Sequence, residues 1–343
     1  MTIDRRVGTR PGKIILSPLA ALSAAAALSF GLVVTGGAAQ ADAIPEMTLQ
    51  MAHNYPPGNI WYDAGEHFTK AVTERTGGKV TFNTAHSAST GTWAEQIEAL
   101  QIGTNDIVIQ SVGTLDRYAP LPGIEAFPYL IRDVDHFKTV FYGPIGEELY
   151  AQIEEDTGFK IIGAGYRGAR VLSANKKVES LEDLEGLKLR VPPLKMYTRT
   201  WELLDASPTP MPFTEVFTSL QQGIIDGQEN PYEVIETYRL DEVQDFVMET
   251  NHVIGGMTFI FDAARFDSFP PELQKILEEE AEKAMLWATA EMLEKEAGFR
   301  KVLQDRGMEI VVLDLTDFRA AVGPLKEEFP ELKGWIERIS LAE

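Results

Sequence analysis

Two arginines and a proline-flanked asparagine are the residues of this chain best placed, by type and spacing, to do chemistry. Arg190 lies near the end of residues 187–191, which read as a strand and stop at Pro192-Pro193. Arg170 closely follows Gly168, where the chain is expected to cross between two lobes. Strand ends in open α/β sheets face the crevice where ligands bind, and an arginine there can grip a carboxylate through two parallel charge-assisted hydrogen bonds. Lysine, a point charge, cannot reproduce that fork. The alternative for each arginine is a structural ion pair, for which a chain with 52 Asp and Glu offers many partners. Asn230, restrained by Pro231, ends a short strand where its amide could donate to a ligand oxygen; an ordinary turn is the alternative, and Tyr232 just beyond is a further candidate.

Other chemistries find little footing. Gly163-Ala164-Gly165-Tyr166-Arg167-Gly168 spells a dinucleotide-binding fingerprint after a predicted strand. A nucleotide site needs the last glycine to open a helix facing the pyrophosphate, yet residues 169–174 carry β-favouring Val171 and no capping signal. The histidines (His53, His67, His86, His136, His252) show no HExxH pair and no short ligand spacing, so no catalytic metal is expected. G-x-S-x-G and a complete phosphate loop are missing, and the lack of cysteine removes disulfides, thiolate catalysis and cysteine zinc sites. Glu278-Glu279-Glu280 reads as the solvated face of a helix. Nothing among these residues requires catalysis, a metal or a cofactor.

The elements that must position these residues alternate from Met47 onward between short β-type runs and helical stretches, the pattern of an α/β architecture with mainly parallel sheets. Strands are expected at 48–52, 79–83, 106–110, 159–164, 187–191, 225–229 and 253–261. Helices are expected at 61–75, 92–102, 134–141, 145–155, 196–204 and 214–222. The proline-rich residues 206–216 read as a rigid turn delivering Phe213 to a helix start, as a cleft wall or as core. From Pro271 to about residue 305 the composition predicts one helix, roughly 50 Å long at about 1.5 Å per residue and able to brace two lobes; a break at Gly298 is the alternative. With 343 residues and 44% hydrophobic content the chain can build two cores. One lobe is assigned residues 42–167 with about 256–300, the other 168–255 with about 301–343.

Arg5, Arg6, Arg10 and Lys13 precede an apolar run at 14–34, and Ala39-Gln40-Ala41 supplies small residues for cleavage, the layout of a bacterial export signal spanning residues 1–41. An uncleaved anchor is the alternative, because the run is long enough to span a bilayer. Cleavage near Ala41 would release the mature chain into the periplasm. Loss of four Lys/Arg and one Asp takes the formal net charge from −21 to −24. Such a surface repels nucleic acid and anionic lipid, so an anionic ligand needs cations placed locally inside a cleft.

Four segments in order, Gly168-Ala169-Arg170, residues 181–192, residues 206–216 and residues 226–231, resemble the periplasmic solute receptors of TRAP transporters, the dicarboxylate- and sialic acid-binding DctP family. The resemblance spans roughly residues 48–312. It implies a two-lobed α/β periplasmic-binding-protein fold of type II-like plan, with a long helix spanning both lobes. It also implies a small-molecule carboxylate as ligand and TRAP membrane subunits as partners. By the same resemblance Arg190 is the principal carboxylate clamp and Arg170 a second cationic contact, with Arg167 competing for that match through Gly165-Tyr166-Arg167. Asn230 and Phe213 would line the pocket, and His53 and Gln110 would face the ligand from the first lobe. Members often carry acidic residues after the glycine matched by Gly91, where this chain has Thr92 and Trp93. That departure removes negative charge near the mouth and offers Trp93 as a surface to stack on or cover the ligand. An ABC-type sugar or amino-acid receptor shares the two-lobe plan but is expected to lack the Arg190 and Asn230 segments in this spacing. A secreted NAD-dependent oxidoreductase would need the Gly163 motif to open a helix.

Overall fold

The structure, a computed structural model, describes residues 44–343, so the expected export signal lies outside the described residues. No described helix is long and apolar enough to cross a membrane. The strands are β1 (Met47–Ala52), β2 (Val80–Ala85), β3 (Ile107–Gln110), β4 (Phe159–Ala174) and β5 (Lys188–Val191). They continue with β6 (Ser207–Pro210), β7 (Gly227–Pro231), β8 (Phe246–Met248), β9 (Ile254–Asp262) and β10 (Glu309–Val311). A path of paired strands runs β2-β1-β3-β9-β4-β7-β5-β6, with β8 bridging β4 and β10. Pairing is parallel toward both ends, but β9 is antiparallel to β3 and β4, and β4 is antiparallel to β7 and β8. The sheet is therefore mixed, where mainly parallel pairing was expected.

The 16-residue β4 does the joining. Residues from Phe159 to Ala169 pair with β9 in one half-sheet, and Arg170–Ala174 pair with β7 in the other. The predicted strand at 159–164 is thus ten residues too short, because Gly163 and Gly168 bulge the strand without ending it. Their φ angles are +68° and +87°, and the register with β9 slips between Ile162 and Gly165 and again between Tyr166 and Ala169. No helix opens after Gly168, which removes the dinucleotide reading. Gly163 serves close packing: a Cβ there would sit 2.9 Å from the Ala281 carbonyl oxygen. Gly163→Ala is accordingly expected to cost about 2 kcal/mol, combining a left-handed backbone with that clash, and urea unfolding at neutral pH measures it.

Pro271–Asp305 is one unbroken helix of 35 residues. A Cβ at Gly298 would meet nothing within 4 Å, so the glycine marks no break. Near its start, Glu279 and Glu280 each take a 2.6 Å contact from Arg75 on the helix Ile60–Arg75, and Trp287 stacks on His67 at 4.1 Å. Near its end, Arg300 donates to Glu249 at 2.9 Å and Arg306 to Glu236 at 2.8 Å. The helix is thereby fastened to elements of both half-sheets. Glu280 departs from the solvated face expected of the acidic cluster: it is buried between Arg75 and Lys283.

Two further expectations change. Residues 207–210 form an edge strand despite two prolines, because only an edge tolerates residues that cannot donate on both sides. The C-terminal segment does not all follow the second lobe: β10 pairs with β8, but Arg132 donates to the Ser340 and Ala342 carbonyls at 2.9 and 2.7 Å. Those bonds tie the terminal helix Lys333–Ser340 to residues assigned to the first lobe.

Candidate functional site

Where β4 passes between the half-sheets, a cavity of about 110 Å³ is lined by Arg167, Arg170, Arg190, Asn230, Trp93 and Phe213, with Asn54, Tyr55, Thr92 and Tyr238. Pro192, Pro193, Pro212 and Val234 add apolar wall. No Asp or Glu is among its described lining residues. The three guanidinium groups differ in what already holds them.

Arg190 sits in β5 just before Pro192-Pro193 and is 3% exposed. Its Nε and Nη2 both donate to the Met211 carbonyl oxygen, at 3.0 and 2.8 Å, and its guanidinium lies 5.5 Å from the centre of the Phe213 ring. A carbonyl orients the charge without neutralising it. Burial pushes the group down to about 9, and Glu229 offsets this only in part. A buried cation without an ion pair is costly until an anion arrives.

Arg170 is committed. Its Nε reaches Glu229 Oε2 at 2.5 Å and its Nη2 reaches Oε1 at 2.8 Å, while the guanidinium lies 5.0 Å from the Tyr197 ring centre. Glu229 Oε2 also accepts from His252 Nε2 at 2.9 Å. Burial lowers the affinity of His252 for a second proton against the pull of Glu229, and its Nδ1 lies beside the Thr250 hydroxyl at 2.9 Å. Burial also works against the Glu229 charge, but Arg170 and His252 outweigh it and hold the carboxyl at about 2. The structural ion pair considered for both arginines from sequence is therefore present at Arg170. It is absent at Arg190 among the described residues.

Arg167 also lines the cavity, 6% exposed, with its Nε buried and unpartnered. In a regular strand residues three apart face opposite sides. The slip between Tyr166 and Ala169 changes that parity, which is why Arg167 and Arg170 reach the same cavity rather than competing for it.

Trp93 opens the helix Trp93–Gln101, which Thr92 caps in a reciprocal box with Glu95. The Arg167 guanidinium lies 5.6 Å from the Trp93 ring centre, and the indole Nε1 is buried without a partner. Asn230 donates one amide hydrogen to Gln228 Oε1 at 2.6 Å, and Gln228 is anchored in turn by Nε2 to Ser173 Oγ at 2.7 Å.

Three expected site residues stand outside the cavity lining. His53 is wholly buried among Tyr55, Tyr62 and His86, where burial first and His86 second push it down to about 4. Gln110 supports the site indirectly, its Nε2 donating to the Trp93 carbonyl and to Gln96 Oε1, each at 3.1 Å. Tyr232 turns its hydroxyl away to Glu249 at 2.9 Å. Tyr55, Asn54 and Tyr238 were not anticipated. Tyr238 donates to the Asn54 carbonyl at 3.0 Å, a link 184 residues apart that no local pattern announces.

Residues 51–332 match the family model described as bacterial extracellular solute-binding protein, family 7. The chain belongs to this family. A solute-binding protein of Roseobacter denitrificans is 34% identical over 276 residues, covering 80% of this chain and 85% of the relative. The sialic acid-binding periplasmic protein SiaP of Vibrio cholerae is 28% identical over 282 residues, covering 82% and 88%. Among solved structures, a TRAP periplasmic solute binding protein of Roseobacter denitrificans with bound L-galactonate has a TM-score of 0.81 at 32% identity, covering 86% of this chain and 99% of that one. Another, from Xanthobacter autotrophicus with bound β-D-galacturonate, reaches 0.83 at 29% identity, covering 86% and 100%. The family is one of solute receptors, not of enzymes, and the family 7 chain described here shares its mixed α/β fold with the long helix.

Proposed function

We propose that the cavity takes a small organic-acid anion, that Arg190 is its carboxylate clamp, and that the two half-sheets with their helices are lobes closing on it. The observation that carries this reading is Arg190 itself: a buried cation at a strand end, oriented by a carbonyl and left without a carboxylate. The acid sugars named with the solved relatives support the ligand class. Lobe closure is supported by bonds across the cleft, where Asn59 donates to Glu233, Tyr238 to the Asn54 carbonyl, and the Lys195 amide to Asp116 at 3.0 Å. Ligand contacts made from both sides would exist only in this shut form, so binding shifts the population toward it. The shut form would then be what TRAP membrane subunits recognise, in the periplasm, after removal of residues 1–41.

A thermal-shift screen of sugar acids, keto acids, dicarboxylates and aromatic acids, with NAD, neutral sugars and amino acids as controls, tests the reading. An acid present at about a hundred times its dissociation constant adds about 2.7 kcal/mol, a plain upward shift. Stabilisation by NAD or by a neutral sugar alone would contradict the proposal.

A further inference from the structure

We propose that Arg167 and Trp93 form a second subsite, specific for an oxygen acceptor on the ligand away from its carboxylate. The receptor would thus take hydroxy or keto acids and reject both acids with no oxygen beyond the carboxylate and ω-amino acids. The inference rests on the carboxylate reading of the cavity and goes one step further into it. Arg167 is more than nine-tenths buried, with Nε lacking any partner, and the Nε1 of Trp93 is buried and equally unpartnered. The guanidinium lies over the indole, 5.6 Å from its centre, and both side chains line the cavity. An unmatched buried donor is destabilising, so two together point to something that fills them.

What fills them follows from their chemistry. Guanidinium and indole N–H groups can only donate, so the complementary atom must accept: a hydroxyl, carbonyl, ring or carboxylate oxygen. An ammonium group, itself only a donor and positively charged, would face a guanidinium and be repelled. Nearby protein carboxylates do not take the role. Glu125 is held by Ser111 and by the amides of Gly113 and Gly256, and Glu233 is held by Asn59 and Thr237; neither forms an ion pair with Arg167 within 4.0 Å. Burial raises the carboxyls of Glu125 and Glu233, and the Arg167 charge works against that rise in both. Gln110, bonded to the Trp93 carbonyl, fixes the backbone that carries the indole.

The test uses calorimetry on the mature protein with L-galactonate and D-erythronate as oxygenated acids. Hexanoate and butanoate are their matches with no oxygen beyond the carboxylate, and 6-aminohexanoate and 4-aminobutanoate carry a cationic end. At least one oxygenated acid is expected to bind, with no measurable binding by the other four. Trp93→Phe, which keeps the ring and deletes the donor, should weaken that acid about fivefold, and Arg167→Met about thirtyfold or more. Wild-type affinity in both variants, with binding still abolished by Arg190→Ala, overturns the subsite and leaves the carboxylate reading standing. Alkanoate binding as tight as that of the matched hydroxy acid also overturns the subsite. Binding by neither L-galactonate nor D-erythronate overturns the subsite, and binding indifferent to Arg190→Ala overturns the carboxylate reading and the subsite with it.

Discussion

Arg190→Lys is expected to weaken binding of the acid ligand by at least about 1.5 kcal/mol, roughly tenfold, in isothermal titration at neutral pH. The wild-type guanidinium spends Nε and Nη2 on one carbonyl, that of Met211, and still presents a planar fork to the cavity. An ammonium group has one nitrogen to divide between the Met211 carbonyl and the ligand. It also loses the guanidinium contact over the Phe213 ring, and in so buried a place its charge is easier to shed. Unfolding midpoints should change little, because the variant removes no ion pair. Loss of affinity without loss of stability is therefore the signature of a clamp.

Glu229→Gln is expected to show the reverse emphasis, destabilising the fold by about 3 kcal/mol in denaturant unfolding at pH 7. It leaves Arg170 buried with a neutral partner and turns the His252 contact from an acceptor carboxylate into a weaker amide contact. The pH dependence carries a second signature. Glu229 titrates at about 2 in the folded protein, below the ordinary 4.5, so its contribution is fully present above about pH 4.5 and is lost as pH falls toward 2. The variant should lack that part of the acid-induced loss, and the two unfolding curves should converge near pH 2. A difference that stays constant from pH 7 to pH 2 would mean that Glu229 acts by packing alone.

Much of this architecture is legible in the residues before any coordinates. Apolar spacing in residues 61–75 and 134–141, the Gly77-Gly78 stop, and the Pro271 start with no later proline each translate into the observed element, because those signals are local. Arg190 is legible for a similar reason: a strand followed by two prolines must end, and its end faces the crevice. The partners of each side chain are not legible. Nothing near Arg170 announces that Glu229, 59 residues on, occupies it, or that His252 completes the set. The match of Arg167 against Arg170 looks like a choice until the slip at positive-φ Gly168 shifts the strand's parity and brings both to one cavity. His53, Gln110 and Tyr232 fail as lining residues because facing the cavity depends on contacts across elements, and each has better company elsewhere.

The most direct test of the account is a crystal structure with the acid that gives the largest thermal shift. That acid is expected inside the cavity bounded by Arg167, Arg190 and Asn230, its carboxylate oxygens about 2.8 Å from the Arg190 guanidinium. An acid bound elsewhere, or lying in the cavity with its carboxylate turned from Arg190, would contradict it.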